Sequence, residues 1–194
     1  MLRLKMATEP RWVDLVNNNI KEALIDHAFC EQKAASAAIS IIILYPQYSE
    51  IVSAMSDLVI EEMDHFRRVH KKILDRGWVL GKERKDDYVN KLRKFFKGGG
   101  TYETRLIEKL LFSAMIEARS CERFYHLSRN TNDKDLSEFY HELEQSEAGH
   151  FKLFINFARK YGKDIMDVDN KWEEFLKFEA DLIQKYNNKE YIHG

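Results

Sequence analysis

Proline and glycine are scarce in this chain, at 2 and 8 of 194 residues. A sheet protein of this size needs many more turn residues, so the deficit points to helices. Cysteine is scarce too. Cys30 and Cys121 form no Cys-x-x-Cys pair, which excludes an iron–sulfur or rubredoxin-type module in this chain and gives no disulfide framework. Two isolated thiols fit a reducing compartment. No apolar run approaches the roughly 18 residues that span a membrane. The longest, Ile39 to Leu44, contains Ser40 and ends at Tyr45-Pro46. The N-terminus lacks a secretory apolar segment, so the expected location is cytoplasmic, with no membrane. An excess of charge is also missing. The 31 Lys and Arg against 32 Asp and Glu give a net charge of −1, which excludes a uniformly basic nucleic-acid binder but leaves room for a local patch.

What is present is a charged, strongly periodic sequence, with 32% charged and 44% hydrophobic residues. Its length fits one domain, residues 1–194, with a continuous core. Thr8-Glu9-Pro10 reads as a helix start, and Asn17-Asn18-Asn19 bends or breaks that first helix. A long helix is expected from about Ile20 to Leu44, ended by Pro46, and another from about Tyr48 to Arg76, stopped by Gly77. Residues 78–101 read as a long crossover carrying a short helix, Tyr88 to Phe96, between a charge run and Gly98-Gly99-Gly100. The second half repeats the plan, with helices from about Tyr102 to Arg129 and Lys134 to Tyr161, the latter stopping at Gly162. A last amphipathic helix, Trp172 to Tyr186, packs on the rest. The expected fold class is all-α: a ferritin-like four-helix bundle with a long crossover between helix pairs and extra N- and C-terminal helices.

One short pattern occurs twice, as Glu62-Met63-Asp64-His65 and as Glu147-Ala148-Gly149-His150. A Glu and a His three apart project from the same side of a helix. Both pairs fall in apolar stripes: Met55, Leu58, Val59, Glu62, His65, Phe66 and Val69 in one, and Leu136, Tyr140, Leu143, Glu147, His150, Phe151 and Phe154 in the other. Burying a carboxylate and an imidazole there is costly unless something charged lies between them. A further Glu lies upstream of each pair. In the first half, Glu31 and Glu62 are each about 15 residues from a turn centred near Pro46-Gln47, so on antiparallel helices they stand level. The second half offers Glu117 and Glu122. Glu117 and Glu147 are each about 15 residues from Asn132, whereas Glu122 would stand roughly 7 Å off level and about 140° around the helix. Glu117 is therefore the match, and Glu122 reads as a polar-face partner of Arg119 or Arg123.

A single Glu-x-x-His is most often a solvated-face pair on a helix this charged. Two of them on core stripes, level with two further Glu, form a metal-ligand set: Glu31, Glu62, His65, Glu117, Glu147 and His150. Small neighbours, Ala28, Ala34, Ala35 and Ala38 around Glu31 and Ser113, Ala114, Ser120 and Cys121 around Glu117, leave room for two metals and a small oxidant. Carboxylates with imidazoles suit iron or manganese, and the missing thiolate set excludes structural zinc. His70, His126, His141 and His193 read as structural or solvent-facing. His27, one turn before Glu31, is the neighbour to watch. Asp26, Glu61, Asp64 and Ser146 are the residues placed to orient a ligand histidine. The residues alone reach no further than this, since oxygenases, peroxidases, ferroxidases and manganese catalases share the ligand logic.

Longer strings narrow it. The run Leu24-Ile25-Asp26-His27-Ala28-Phe29-Cys30-Glu31-Gln32-Lys33-Ala34-Ala35-Ser36 resembles the first ligand helix of the bacterial tRNA 2-methylthio-N6-isopentenyladenosine hydroxylases, and Ile116-Glu117-Ala118-Arg119-Ser120-Cys121-Glu122-Arg123-Phe124 resembles a distinctive run of that family. Ser146-Glu147-Ala148-Gly149-His150-Phe151 is similar to its last ligand helix, and Trp172 to Ile183 to its C-terminal one. The resemblance implies that the six ligand residues hold two iron ions as a di-iron centre, with no catalytic residue beyond them. It implies an enzyme, a non-haem di-iron monooxygenase that uses dioxygen as co-substrate to hydroxylate the isopentenyl group of a modified adenosine in the tRNA anticodon loop. An external electron donor of ferredoxin or flavin type must serve it, because the chain carries no redox module.

An anticodon-loop base is already unpaired, so presenting it costs little. The expected phosphate contacts are Lys91, Arg93, Lys94 and Lys97, with Lys82, Arg84 and Lys85 nearby. The plainer reading of that stretch is an amphipathic connector with Phe95 and Phe96 packed inward. Two alternatives to the hydroxylase stand beside it: a ferritin-like ferroxidase or peroxidase without a nucleic-acid substrate, and a structural bundle with a vestigial motif.

Overall fold

The computed structural model describes residues 2–83 and 87–185. Among them are seven α-helices, one short 3-10 helix and no strand: α1 (Arg11–Asn18), α2 (Ile20–Leu44), α3 (Ser49–Asp75), α4 (Asp87–Leu92), continued by the 3-10 turn Arg93–Phe95, then α5 (Tyr102–Asn130), α6 (Lys134–Gly162) and α7 (Val168–Lys185). Expected and observed helix ends agree to within a few residues. Tyr186 and His193, like Arg84 and Lys85, lie outside the described residues.

The local chemistry at the ends accounts for the boundaries. Gly77, at φ +72°, closes α3 with paired bonds from Gly77 N to Leu74 O (2.9 Å) and from Trp78 N to Ile73 O (3.1 Å). A side chain at that φ would clash with its own backbone, so the stop needs glycine. Thr101 Oγ1 accepts from Thr104 N at 3.2 Å, and Asp133 Oδ1 accepts from Leu136 N at 3.1 Å. Each satisfies one of the amide groups left over at a helix start. Gly162 ends α6 for another reason. A Cβ there would lie 2.5 Å from Cγ2 of Val168, the first residue of α7, so the glycine admits a close approach of the next helix.

The described residues fall into two compact units. Residues 18–83 form the first, a hairpin of α2 on α3. Ala28, Ala35, Ala38 and Ile41 on α2 and Ile51, Met55, Leu58 and Val69 on α3 are all buried. The alanines let the helix surfaces approach closely, and each large aliphatic buried contributes about 1.5–3 kcal/mol of transfer free energy. The second unit holds residues 2–17 and 87–185. There α5 packs on α6, with the Phe124 and Tyr140 rings stacked at 5.2 Å, and Leu106, Leu110, Leu136 and Phe154 of the two helices are buried. The crossover helix and α7 join through aromatics, Phe95 lying 4.7 Å and Phe96 4.9 Å from the Phe175 ring. Of the two readings of that stretch, the inward-packed connector describes its phenylalanines.

Around residues 113–121, α5 is buried on nearly every side. Glu122 pairs with Arg119 as expected, but Arg119 is enclosed rather than on a polar face. Arg119 is fully buried, as is Glu179 of α7, and together they form the ionic centre of the second unit. Arg119 donates from Nε to Glu179 Oε1 (2.9 Å), from NH2 to Glu179 Oε2 (3.0 Å) and to Met6 O (2.9 Å), and from NH1 to Glu122 Oε2 (2.9 Å). Tyr88 of α4 donates to Glu179 Oε1 at 2.9 Å, and Thr8 donates to Glu122 from both its amide (2.8 Å) and its hydroxyl (2.6 Å). Three stretches distant in sequence, residues 6–8, α4 and α7, are thereby tied to α5. Burial alone would lower the basicity of Arg119, but Glu179, Tyr88 and Glu122 outweigh it and the shift is upward. Burial and the neighbouring Arg119 have the opposite result for Arg123, whose pKa falls to about 10.

Candidate metal centre

Each unit carries one buried triad. In the α2–α3 hairpin, Glu31, Glu62 and His65 are 5%, 0% and 4% exposed and bring one donor atom each to within 4.8 Å of one another. In the α5–α6 hairpin, Glu117, Glu147 and His150 are equally buried and do the same. The equal-arm spacing explains why. In each hairpin the upstream Glu and the Glu-x-x-His pair lie the same number of turns from the connecting loop, so antiparallel packing sets them opposite one another.

The rings are oriented alike in both triads. His65 presents Nδ1 to Glu62 Oε2 at 3.5 Å and to Glu31 Oε2 at 3.9 Å, while its Nε2 lies 3.9 Å from Glu61 Oε1. His150 presents Nδ1 to Glu147 Oε1 at 3.9 Å, and its Nε2 lies 3.4 Å from Ser146 Oγ. The residue four before each histidine thus stands at the nitrogen turned away from the carboxylates. Two of the four expected orienting neighbours, Glu61 and Ser146, occupy that place. Asp64 does not: it pairs with Arg67 on the outer face of α3. Asp26 is buried, with Cys30 Sγ 3.9 Å from its Oδ2. His27 is fully buried with Nε2 2.6 Å from Glu31 Oε1. Of the other histidines, His126 lies 3.1 Å from Glu122, His70 stacks on Phe66 and His141 is exposed beside Glu144.

The donor set fits a divalent, oxygen-preferring metal. Each triad holds two carboxylates and one imidazole at closest approach in a water-poor interior. Two ionised carboxylates there repel one another and are poorly solvated, and one divalent cation per triad cancels that charge. No thiolate joins either cluster. Cys121, one turn beyond Glu117, has its thiol pushed up to about 12 by burial and by Glu144, Glu117 and Glu122, so it stays protonated. An oxygen-rich set with one imidazole per metal suits iron or manganese over zinc.

The basic residues expected to meet RNA, Lys91, Arg93, Lys94 and Lys97, are all exposed, as is Lys82. Arg93 lies over the Phe112 ring at 5.6 Å, and Lys171 covers Phe95 at 4.7 Å. Residues that reading the chain left without a role are Glu179, Tyr88 and Thr8. Glu179 had a usable signal, a carboxylate within the apolar stripe of α7, the same signal that marks the triads.

Residues 2–194 match the family described as tRNA-(MS[2]IO[6]A)-hydroxylase (MiaE). A Pseudomonas putida protein named tRNA 2-(methylsulfanyl)-N(6)-isopentenyladenosine(37) hydroxylase is 34% identical over 187 residues, which cover 96% of this chain and 89% of that protein. A Salmonella typhimurium protein of the same name is 34% identical over 150 residues, covering 77% of this chain and 53% of the relative. Among solved structures, a Synechococcus protein described as having aldehyde deformylating oxygenase activity superposes with a TM-score of 0.88 at 29% identity, over 98% of this chain and 95% of that one. The fold is the ferritin-like helical fold of di-iron oxygenases.

Proposed function

The chain belongs to the tRNA-(MS[2]IO[6]A)-hydroxylase family, and from that premise we propose that it is a di-iron monooxygenase that hydroxylates the isopentenyl side chain of 2-methylthio-N6-isopentenyladenosine in tRNA. One observation carries the reading: both buried Glu/Glu/His triads lie within a chain that matches this hydroxylase family from residue 2 to residue 194. In this reading Glu31, Glu62, His65, Glu117, Glu147 and His150 hold two iron ions. Support comes from the matched charge and composition of the triads and from the single family match that runs through both units. The ferroxidase or peroxidase alternative is not favoured, since both named relatives are hydroxylases.

When bound, the iron pair supplies activation of dioxygen with two electrons from outside. The protein's own residues have other tasks. The four carboxylates balance the metal charge, and Glu61 and Ser146 stand at the outer nitrogens of the two imidazoles. Ala28, Ala35 and Ala38 keep water from the Glu31 face of α2, each being at most 2% exposed. Electrons come from a ferredoxin- or flavin-type partner, because both cysteines are buried and no redox module is present. Lys91, Arg93, Lys94 and Lys97 contact the phosphates of the anticodon arm, which their exposure permits. The enzyme works in the cytoplasm, where its tRNA is. No helix among the described residues is long and apolar enough to cross a membrane.

The test is mass spectrometry of nucleosides from prenylated tRNA incubated with iron-loaded protein, reductant and oxygen. A gain of one oxygen on the prenyl adenosine is expected. No gain from protein that retains its iron would turn the assignment toward a ferritin-like activity.

A further inference from the structure

Glu31 has a second imidazole beside it, from a residue outside the triads. Nε2 of His27, one turn earlier on α2, lies 2.6 Å from its Oε1. The other oxygen, Oε2, faces His65 Nδ1 at 3.9 Å. The two oxygens therefore have different neighbours: one is held by the helix that carries it, and the other points at the ligand histidine of α3. His27 is fully buried, so its ring has a fixed orientation. With Glu31 ionised, the contact requires the proton on His27 Nε2, since a carboxylate only accepts.

The second half has no histidine at the matching position. The residue four before Glu117 is Ser113, which is buried but too short and too flexible to do the same. A serine in a helix interior tends to bond the carbonyl one turn behind it rather than reach forward. The two triads share ligand types and ring orientation, and they differ at this position.

We infer that His27 is a positioning residue that holds Glu31 by Oε1, leaves Oε2 turned toward His65, and so makes the metal position of the α2–α3 hairpin unequal to that of the α5–α6 hairpin. This rests on the di-metal reading above, and the experiment separates the two. Metal-free protein is titrated anaerobically with cobalt(II), followed by calorimetry and by the visible absorption of the bound ion. Wild-type protein takes up two ions per chain; failure to do so removes the di-metal reading itself. In His27→Ala, one of the two ions binds ~10–100-fold more weakly, and its absorption band shifts, while the other ion is unchanged. His27→Gln, whose amide places an N–H close to the position of Nε2, restores both affinities. His27→Asn is polar but too short to reach Oε1 and behaves like His27→Ala, which keeps the test open if the alanine variant fails to fold. Wild-type isotherms from the Ala and Asn variants would overturn the inference. So would a Gln variant as weak as the Ala variant, since bulk rather than the hydrogen bond would then be what counts.

Discussion

Replacing Arg119 by methionine should be among the most destabilising single changes outside the triads. The substitution keeps the length and apolar volume of the side chain but removes every hydrogen bond it donates. Glu179 loses a two-oxygen contact and keeps only the Tyr88 hydroxyl, in a place with 0% exposure. Glu122 fares better, because Thr8 still donates to it twice. The dominant effect is thus a buried carboxylate stripped of its counter-charge, a change that costs about 3–5 kcal/mol. For a protein of this size that corresponds to a fall in Tm of roughly 6–20 °C. The assay is thermal and urea unfolding of wild type, Arg119→Met, Glu179→Gln and the double variant at equal metal content. Glu179→Gln alone should destabilise, because Arg119 loses the more buried of its two charged partners and keeps only Glu122. Added to Arg119→Met it should stabilise, because it removes the uncompensated charge while still accepting from Tyr88. That reversal of sign is the signature of the pair. A loss below about 1 kcal/mol for Arg119→Met, or a Glu179→Gln effect of the same sign in both backgrounds, would refute the reasoning.

Other outcomes follow from the same geometry. Glu62→Ala and Glu147→Ala should each lower bound iron, measured by elemental analysis of folded protein; full iron in both would break the ligand assignment. The carboxyl of Glu122 is held below its ordinary value near 4.5, because Arg119 and the Thr8 donors outweigh the effect of its burial. A depressed folded-state pKa means its contribution is complete above pH ~4.5 and is lost as pH falls through the lowered value. The stability gap between wild type and Glu122→Gln should therefore be constant near neutrality and shrink in acid, read by urea midpoints against pH. Joint replacement of Lys91, Arg93 and Lys94 by Ala should weaken tRNA binding and reduce the slope of log affinity against log salt by about 0.7–0.9 per lost phosphate contact. An unchanged slope would place the RNA surface elsewhere.

Much of the architecture was legible in the chain itself, for identifiable reasons. Pro46 and Gly77 punctuate a strong 3.6-residue period, so the chain itself bounds α2 and α3 closely. The triads were legible because a carboxylate inside an apolar stripe is conspicuous and because equal arms about a short loop convert sequence distance into height. Three features stayed hidden. The second buried side of α5 depends on residues 6–8, α4 and α7, which lie up to 115 positions away in the chain, and no local period reports such contacts. Arg119 and Glu122 thus read as surface residues although the first is completely enclosed. The choice of Glu61 and Ser146 over Asp64 beside the ligand rings is decided by side-chain rotamers, which spacing does not fix. Gly162 was legible as a stop but not as the point where Val168 comes within 2.5 Å of a would-be side chain.

The account stands or falls on where the new oxygen comes from. Iron-loaded protein with reductant and prenylated tRNA should be run once under 18O-labelled dioxygen in ordinary water and once under ordinary dioxygen in labelled water, with the nucleosides analysed by mass spectrometry. The account predicts one labelled oxygen on the prenyl chain in the first experiment and none in the second. A label that follows water, or an unmodified nucleoside from protein with its iron in place, would contradict it.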